Sequence, residues 1–243
     1  MRSLAVALAI ALMPPLAGAL RGSPACEVPE ELMQFDHKLP HLAEKLQTHE
    51  PVKIVAIGGA STTGLAAGSS DFAYPHRLQE ILARWYPFSP ITVVNRGVPR
   101  QTAQQMLDRF PTDVIPEDPV LVIWETGTTD AVRGVEVDDF AATLQSGIDE
   151  LKAHGIDIIL VDMQFSHSTM TIIDFERYLN ALHRAGDVND LDVFQRFELM
   201  RFWSEQNVFN FDGVAKEERA SLAANVYDCI ARKLAEAIRV ALR

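Results

Sequence analysis

Val52-Lys53-Ile54-Val55-Ala56-Ile57 runs directly into Gly58-Gly59-Ala60-Ser61-Thr62-Thr63-Gly64, and this junction decides the fold. The first six residues are almost all apolar and rich in β-branched side chains, which reads as a strand buried on both faces. A glycine-rich turn ends it. Residues 74–85 then place Leu78, Ile81 and Leu82 at helical spacing, so the chain leaves the strand through a helix rather than a hairpin. The unit repeats outward from there. Ile91-Thr92-Val93-Val94-Asn95 is a second strand and residues 102–110 a short helix. Residues 120–124 form a third strand, followed by a helix over 138–154 that Gly155 stops. A fourth strand spans 156–163, a helix 172–185, and a short fifth strand 191–194. The final helix starts near Lys216 and sets Leu222, Val226, Ile230, Leu234 and Ile238 four apart along one face. Regular alternation of this kind specifies an α/β fold, with a parallel five-stranded sheet between helices on both faces.

At 243 residues, with 48% hydrophobic and 23% charged side chains, the chain suits one domain with an ample core. Residues 51–243 are read as that domain and residues 20–50, polar and partly helical, as an N-terminal segment packed on it. The formal net charge of −11 argues against nucleic acid and anionic membrane surfaces, which demand a basic footprint. Residues 1–19 read as a signal peptide: Arg2, an apolar run from Leu4 to Leu12, a Pro14-Pro15 break and a small-x-small Ala17-Gly18-Ala19. The run is short of the roughly 20 apolar residues of a spanning helix, so no membrane span is expected in the mature chain. Secretion or a periplasmic location follows. In such a compartment Cys26 and Cys229, at opposite ends of the domain, are expected to form one disulfide, the alternative being two unpaired thiols.

In sheets of this type ligands bind beyond the carboxyl ends of the strands. Those ends read Gly58-Gly59-Ala60-Ser61-Thr62-Thr63-Gly64, Asn95-Arg96-Gly97-Val98, Glu125-Thr126-Gly127-Thr128-Thr129-Asp130 and Asp162-Met163-Gln164, with a late loop Asn210-Phe211-Asp212-Gly213-Val214-Ala215. In this order and spacing they resemble the SGNH or GDSL-type ester hydrolases, most closely an exported bacterial branch whose first motif reads Gly-Ser-Ser-Ser-Thr. Tyr74-Pro75, Val94-Asn95-Arg96-Gly97 and Val122-Ile123-Trp124 add to the likeness, which runs from about Val52 to the last helix. The resemblance implies the family's flavodoxin-like three-layer sandwich and no cofactor. It also implies a small acyl-ester or glycan-like ligand.

The same resemblance exposes what is missing. The family's chemistry needs a serine nucleophile, a histidine base three residues after an aspartate, and a glycine N–H and asparagine amide to hold the oxyanion. Here Ala60 occupies the nucleophile position, Thr129 that of the asparagine and Ala215 that of the histidine, while Gly97 and Asp212 are retained. A methyl group neither attacks a carbonyl nor carries a proton. In another serine hydrolase, loss of nucleophile or base costs roughly a million-fold in turnover. The leading expectation is an exported, catalytically impaired relative that keeps a binding pocket. The alternative is an active ester hydrolase rearranged around Ser61 as nucleophile, Asp212, and His167 as a substitute base. A third reading makes the site mere packing. His37 and His41 have i, i+4 spacing, but Pro40 between them disfavours a helix and no third ligand is evident, so no metal site is expected. The glycine-rich turn lacks the signatures of a nucleotide-binding loop.

Overall fold

The computed structural model describes residues 26–170, 174–211 and 213–243. The expected signal peptide at 1–19, the beginning of the helix expected at 172–185, and Asp212 lie outside the described residues.

Five strands, β1 (Val52–Gly58), β2 (Ile91–Gly97), β3 (Leu121–Glu125), β4 (Asp157–Val161) and β5 (Val193–Phe194), make one sheet in the order β2-β1-β3-β4-β5. Every pairing is parallel. Among the described residues ten α-helices accompany them: α1 (Pro40–Gln47), α2 (Ala60–Thr63), α3 (Tyr74–Trp85), α4 (Ala103–Leu107), α5 (Thr128–Arg133), α6 (Val137–Ala153), α7 (His167–Met170), α8 (Phe175–Asn189), α9 (Arg196–Glu205) and α10 (Arg219–Ala241). Side chains alternate across the sheet, so each central strand feeds two cores. Ile54, Ala56, Leu121, Ile123, Ile159 and Val161 pack with α3, α9 and α10. Val55, Ile57, Val122, Trp124, Ile158 and Leu160 pack with α4, α6 and α8. The result is the three-layer α/β sandwich expected from the alternation.

Two local expectations need correction. A helix does form at His41, because Pro40 opens it: proline at the first helical position lacks an N–H that would be orphaned there anyway. Residues 196–205 carry a helix, α9, to which the pattern reading gave no element; Phe197, Met200 and Trp203 form its buried stripe. The glycine-rich turn after β1 forms the single helical turn α2, followed by two 3₁₀ turns, Leu65–Ala67 and Ser70–Phe72.

Cys26 and Cys229 are joined in a disulfide, with Cα atoms 5.1 Å apart, which ties the N-terminal segment to α10. Two aspartates at the amino ends of strands hold the rest of that segment. Asp157 accepts the Leu42 N–H at 2.9 Å and lies 2.8 Å from His41 Nδ1. Asp192 accepts the N–H groups of Asp36 and His37 at 2.9 and 3.1 Å.

Candidate functional site

The carboxyl ends of β1, β2 and β3 converge on the α2 turn. Gly58 and Gly97 are side by side in the sheet, and both positions exclude a side chain. A Cβ on Gly58 would fall 2.2 Å from Thr62 Oγ1, and one on Gly97 would fall 2.7 Å from the Thr63 nitrogen. The turn therefore sits directly on the sheet edge. Asn95 fastens it: its Nδ2 donates to the Thr62 carbonyl at 2.6 Å, while its Oδ1 accepts the Gly97 N–H at 3.0 Å. The amide at the family's oxyanion position thus already has a protein acceptor.

Beneath the turn lies a buried polar cluster that the motif alignment did not reveal. Ser61 Oγ donates to Glu125 Oε1 at 2.7 Å, and Thr62 Oγ1 donates to Glu125 Oε2 at 2.5 Å. Arg196 Nη1, at the start of α9, donates to Ser61 Oγ at 2.8 Å and pairs with Glu125 Oε1 at 3.0 Å. Glu125 and Arg196 are 5% and 3% exposed, so this ion pair is sealed from water. Thr62 Oγ1 also lies 3.4 Å from the Tyr74 hydroxyl. Burial, with the Glu125 charge adding to it, drives the Tyr74 phenol well above its ordinary range and pushes Tyr227 up to about 12. Both phenols stay neutral.

The expected site residues fall into two groups. Ala60 is on the exposed side of α2, whereas the adjacent Ser61 turns inward and is 6% exposed. Thr129 is half-buried at the start of α5. Ala215 is exposed, its carbonyl accepting the Glu218 N–H as the chain turns into α10. Asp130, the last residue of the third motif, is buried and accepts the Ala103 N–H at 3.0 Å through Oδ1. Burial raises its carboxyl above the usual range, and its place at the amino end of α4 is a capping one. His167 is exposed; its Nε2 lies 3.3 Å from Ser204 Oγ and its ring packs edge-on against Phe165. Ser61 and His167 are thus engaged with different partners.

Beside the late loop, Gln164, Met200, Phe211, Val214, Leu222, Val226 and Tyr227 line a mostly apolar pocket of about 230 Å³. It opens at the same end of the sheet as the α2 turn, since Gln164 follows β4 and Val214 precedes α10. Among the described residues no group of three or more His, Cys, Asp or Glu side chains is arranged to hold a metal ion, and no helix is long and apolar enough to cross a membrane.

A family model described as non-GDSL lipase-like matches residues 25–243, which includes every strand and positions 60, 97, 129 and 215. The chain belongs to the non-GDSL lipase-like family. It is therefore an SGNH/GDSL-type hydrolase relative by descent as well as by architecture. No curated protein matches the chain significantly. Solved structures repeat the fold of this non-GDSL lipase-like protein at low identity. A protein described as lipolytic and of the G-D-S-L family, from Desulfitobacterium hafniense DCB-2, is 21% identical, with a TM-score of 0.57 over 75% of this chain and 99% of its own. The acetyl xylan esterase AlAXEase is 20% identical, with a TM-score of 0.62 over 75% of this chain and 98% of its own. A two-domain esterase active on acetylated mannans is 16% identical, with a TM-score of 0.65 over 83% of this chain and 53% of its own.

Proposed function

We propose that this protein is an exported, non-catalytic member of the SGNH/GDSL-type hydrolases that binds a small acyl-ester or glycan-like ligand without cleaving it through a serine. One observation carries the reading: the hydroxyl next in sequence to the vacant nucleophile position, Ser61 Oγ, is clamped between Glu125 and Arg196. A nucleophilic serine needs a base that can take its proton, within about 3.2 Å and facing the substrate. Ser61 instead faces a carboxylate already neutralised by a guanidinium, on the buried side of the turn. The rearranged alternative would require an imidazole at that oxygen, and His167 is occupied with Ser204.

The disulfide supports export, because such bonds persist in oxidising compartments. The pocket beside the late loop supports retained binding: its volume equals that of about seven or eight waters, enough for a short acyl group. The acetylated glycans handled by two of the fold relatives make an O-acylated sugar a reasonable ligand to screen. Incubation of the oxidised protein with a serine-directed phosphonate probe tests the reading. No covalent adduct is expected, and Ser61→Ala should leave any residual ester turnover unchanged. Stoichiometric labelling of Ser61 would refute it.

A further inference from the structure

A polar cavity with a built acid–base pair lies away from the α2 turn, between α8 and α9. Its volume is about 690 Å³. It opens beyond the carboxyl ends of β4 and β5, since Asp162 directly follows β4 and Gln195 directly follows β5. Its wall carries His183, whose Nε2 lies 3.2 Å from Asp162 Oδ2. Asp162 is fully buried, and its other oxygen accepts the Phe197 N–H at 2.8 Å, so the carboxylate is fixed. An acceptor on one side makes Nε2 the proton-bearing nitrogen of a neutral ring, which leaves Nδ1 as the nitrogen available to a ligand. Phe175 and Phe197 give the cavity an apolar floor, and Asn180 and Gln195 add amide groups.

We propose that this cleft is a ligand site of its own, taking a small uncharged polyhydroxylated molecule of sugar-ring size, with His183 Nδ1 bonded to one of its hydroxyls. The charges in the cleft narrow the choice. His183 Nε2 is held by Asp162, and Arg201 is paired with Glu198 and Glu205, so neither is left to draw in an anion. Asp174 and Glu176 at the mouth repel anions. In the neutral ring His183 Nδ1 accepts, and the two amides both donate and accept, as vicinal hydroxyls do; an aromatic floor suits the C–H face of a sugar ring. Burial and the Asp162 contact act oppositely on the ring: the hydrogen bond to Asp162 raises His183 above its ordinary value and desolvation moderates this, with Asp187 and Glu198 adding to the rise. None of this depends on whether the α2 turn has lost its chemistry.

The test follows the histidine ring signals of the oxidised full-length protein by NMR during titration with D-glucose, the His183 signal being assigned through His183→Gln. The His183 signal should move saturably at millimolar sugar while those of His37 and His41 stay in place. The exposed Asn180→Leu and the Gln195→Leu substitutions should weaken the effect at least tenfold without touching the Asp162 contact, which keeps the test intact if His183→Gln fails to fold. The proposal is overturned if the signal is unmoved at about 100 mM sugar, well above the Kd expected of so small a ligand. It is equally overturned if both leucine variants respond like the parent, or if only acetate or methylammonium shifts the signal.

Discussion

Replacing Arg196 by methionine isolates the ion pair that closes the α2 turn from below. The substitution leaves Glu125, 5% exposed, without its cation. Removing one partner of a buried pair costs roughly 3–5 kcal/mol. Two features set this case at the lower end. Ser61 and Thr62 still donate to the carboxylate. Arg196 Nε and Nη2 are buried without partners, so their desolvation cost disappears with the side chain. The expectation is a loss of about 3 kcal/mol, or roughly 6–12 °C in Tm for a domain of this size. Glu125→Gln should cost a similar amount by stranding Arg196. The double variant should cost far less than the sum, with a coupling of about 2 kcal/mol. Urea unfolding of the oxidised protein measures all of this. Additive single losses, or a loss below about 1 kcal/mol in Arg196→Met, would refute the claim that the pair holds the turn.

Other outcomes follow from the same coordinates. Reduction of the Cys26–Cys229 bond, which closes a loop of 203 residues, should lower the urea midpoint by the equivalent of roughly 2–5 kcal/mol; mass spectrometry of non-reduced protein should show the two peptides linked. Ser61→Ala should leave ester turnover at background yet cost about 1–3 kcal/mol, because it strips a hydrogen-bond partner from both Glu125 and Arg196. The folded value of His183 is raised, so the stability it contributes is fully present below its unfolded value and is lost as pH rises through the folded one; the urea midpoint should fall between pH 6 and pH 8, and His183→Gln should flatten that fall. The triple reversion Ala60→Ser, Thr129→Asn and Ala215→His should exceed the summed turnover of the single reversions, since catalytic groups act as a unit; a folded triple variant that neither turns over ester nor takes up a serine probe would mean that the pocket geometry is gone.

The fold was legible because each strand is nearly saturated with apolar residues and each is cut by glycine or by an amphipathic helix. The strand ends, and with them Ala60, Gly97 and Thr129, follow from that pattern. What the pattern could not show is direction. Residues 60 and 61 are neighbours in one turn, and only the packed structure shows that Ala60 faces out while Ser61 faces in. Nor could it pair Glu125 with Arg196, 71 positions apart, because a contact between two strand ends is set by sheet order. A signal was nevertheless present. Glu125 closes the run Leu121-Val122-Ile123-Trp124, and a carboxylate at the end of a strand buried on both faces demands a partner. Arg196, directly after β5, was a cation able to reach the same end of the sheet. Helix α9 was missed for a related reason: it follows β5 after a single residue, with no capping side chain to announce it.

These placements show what holds the α2 turn. The α2 turn is held by Asn95 through the Thr62 carbonyl, by the close seat of Gly97, and by the hydroxyls of Ser61 and Thr62 on Glu125. None of these contacts passes through Ala60 or Ala215, both exposed. Substitutions at exposed positions outside such networks change stability by only about 0.5 kcal/mol in either direction. A serine at 60 and a histidine at 215 could therefore be lost, or restored, with little effect on folding, whereas Glu125 and Arg196 could not be changed singly. The groups that would do chemistry and the groups that hold the turn are separate sets. Folding therefore constrains Glu125, Arg196, Asn95 and Gly97 and places little constraint on positions 60 and 215.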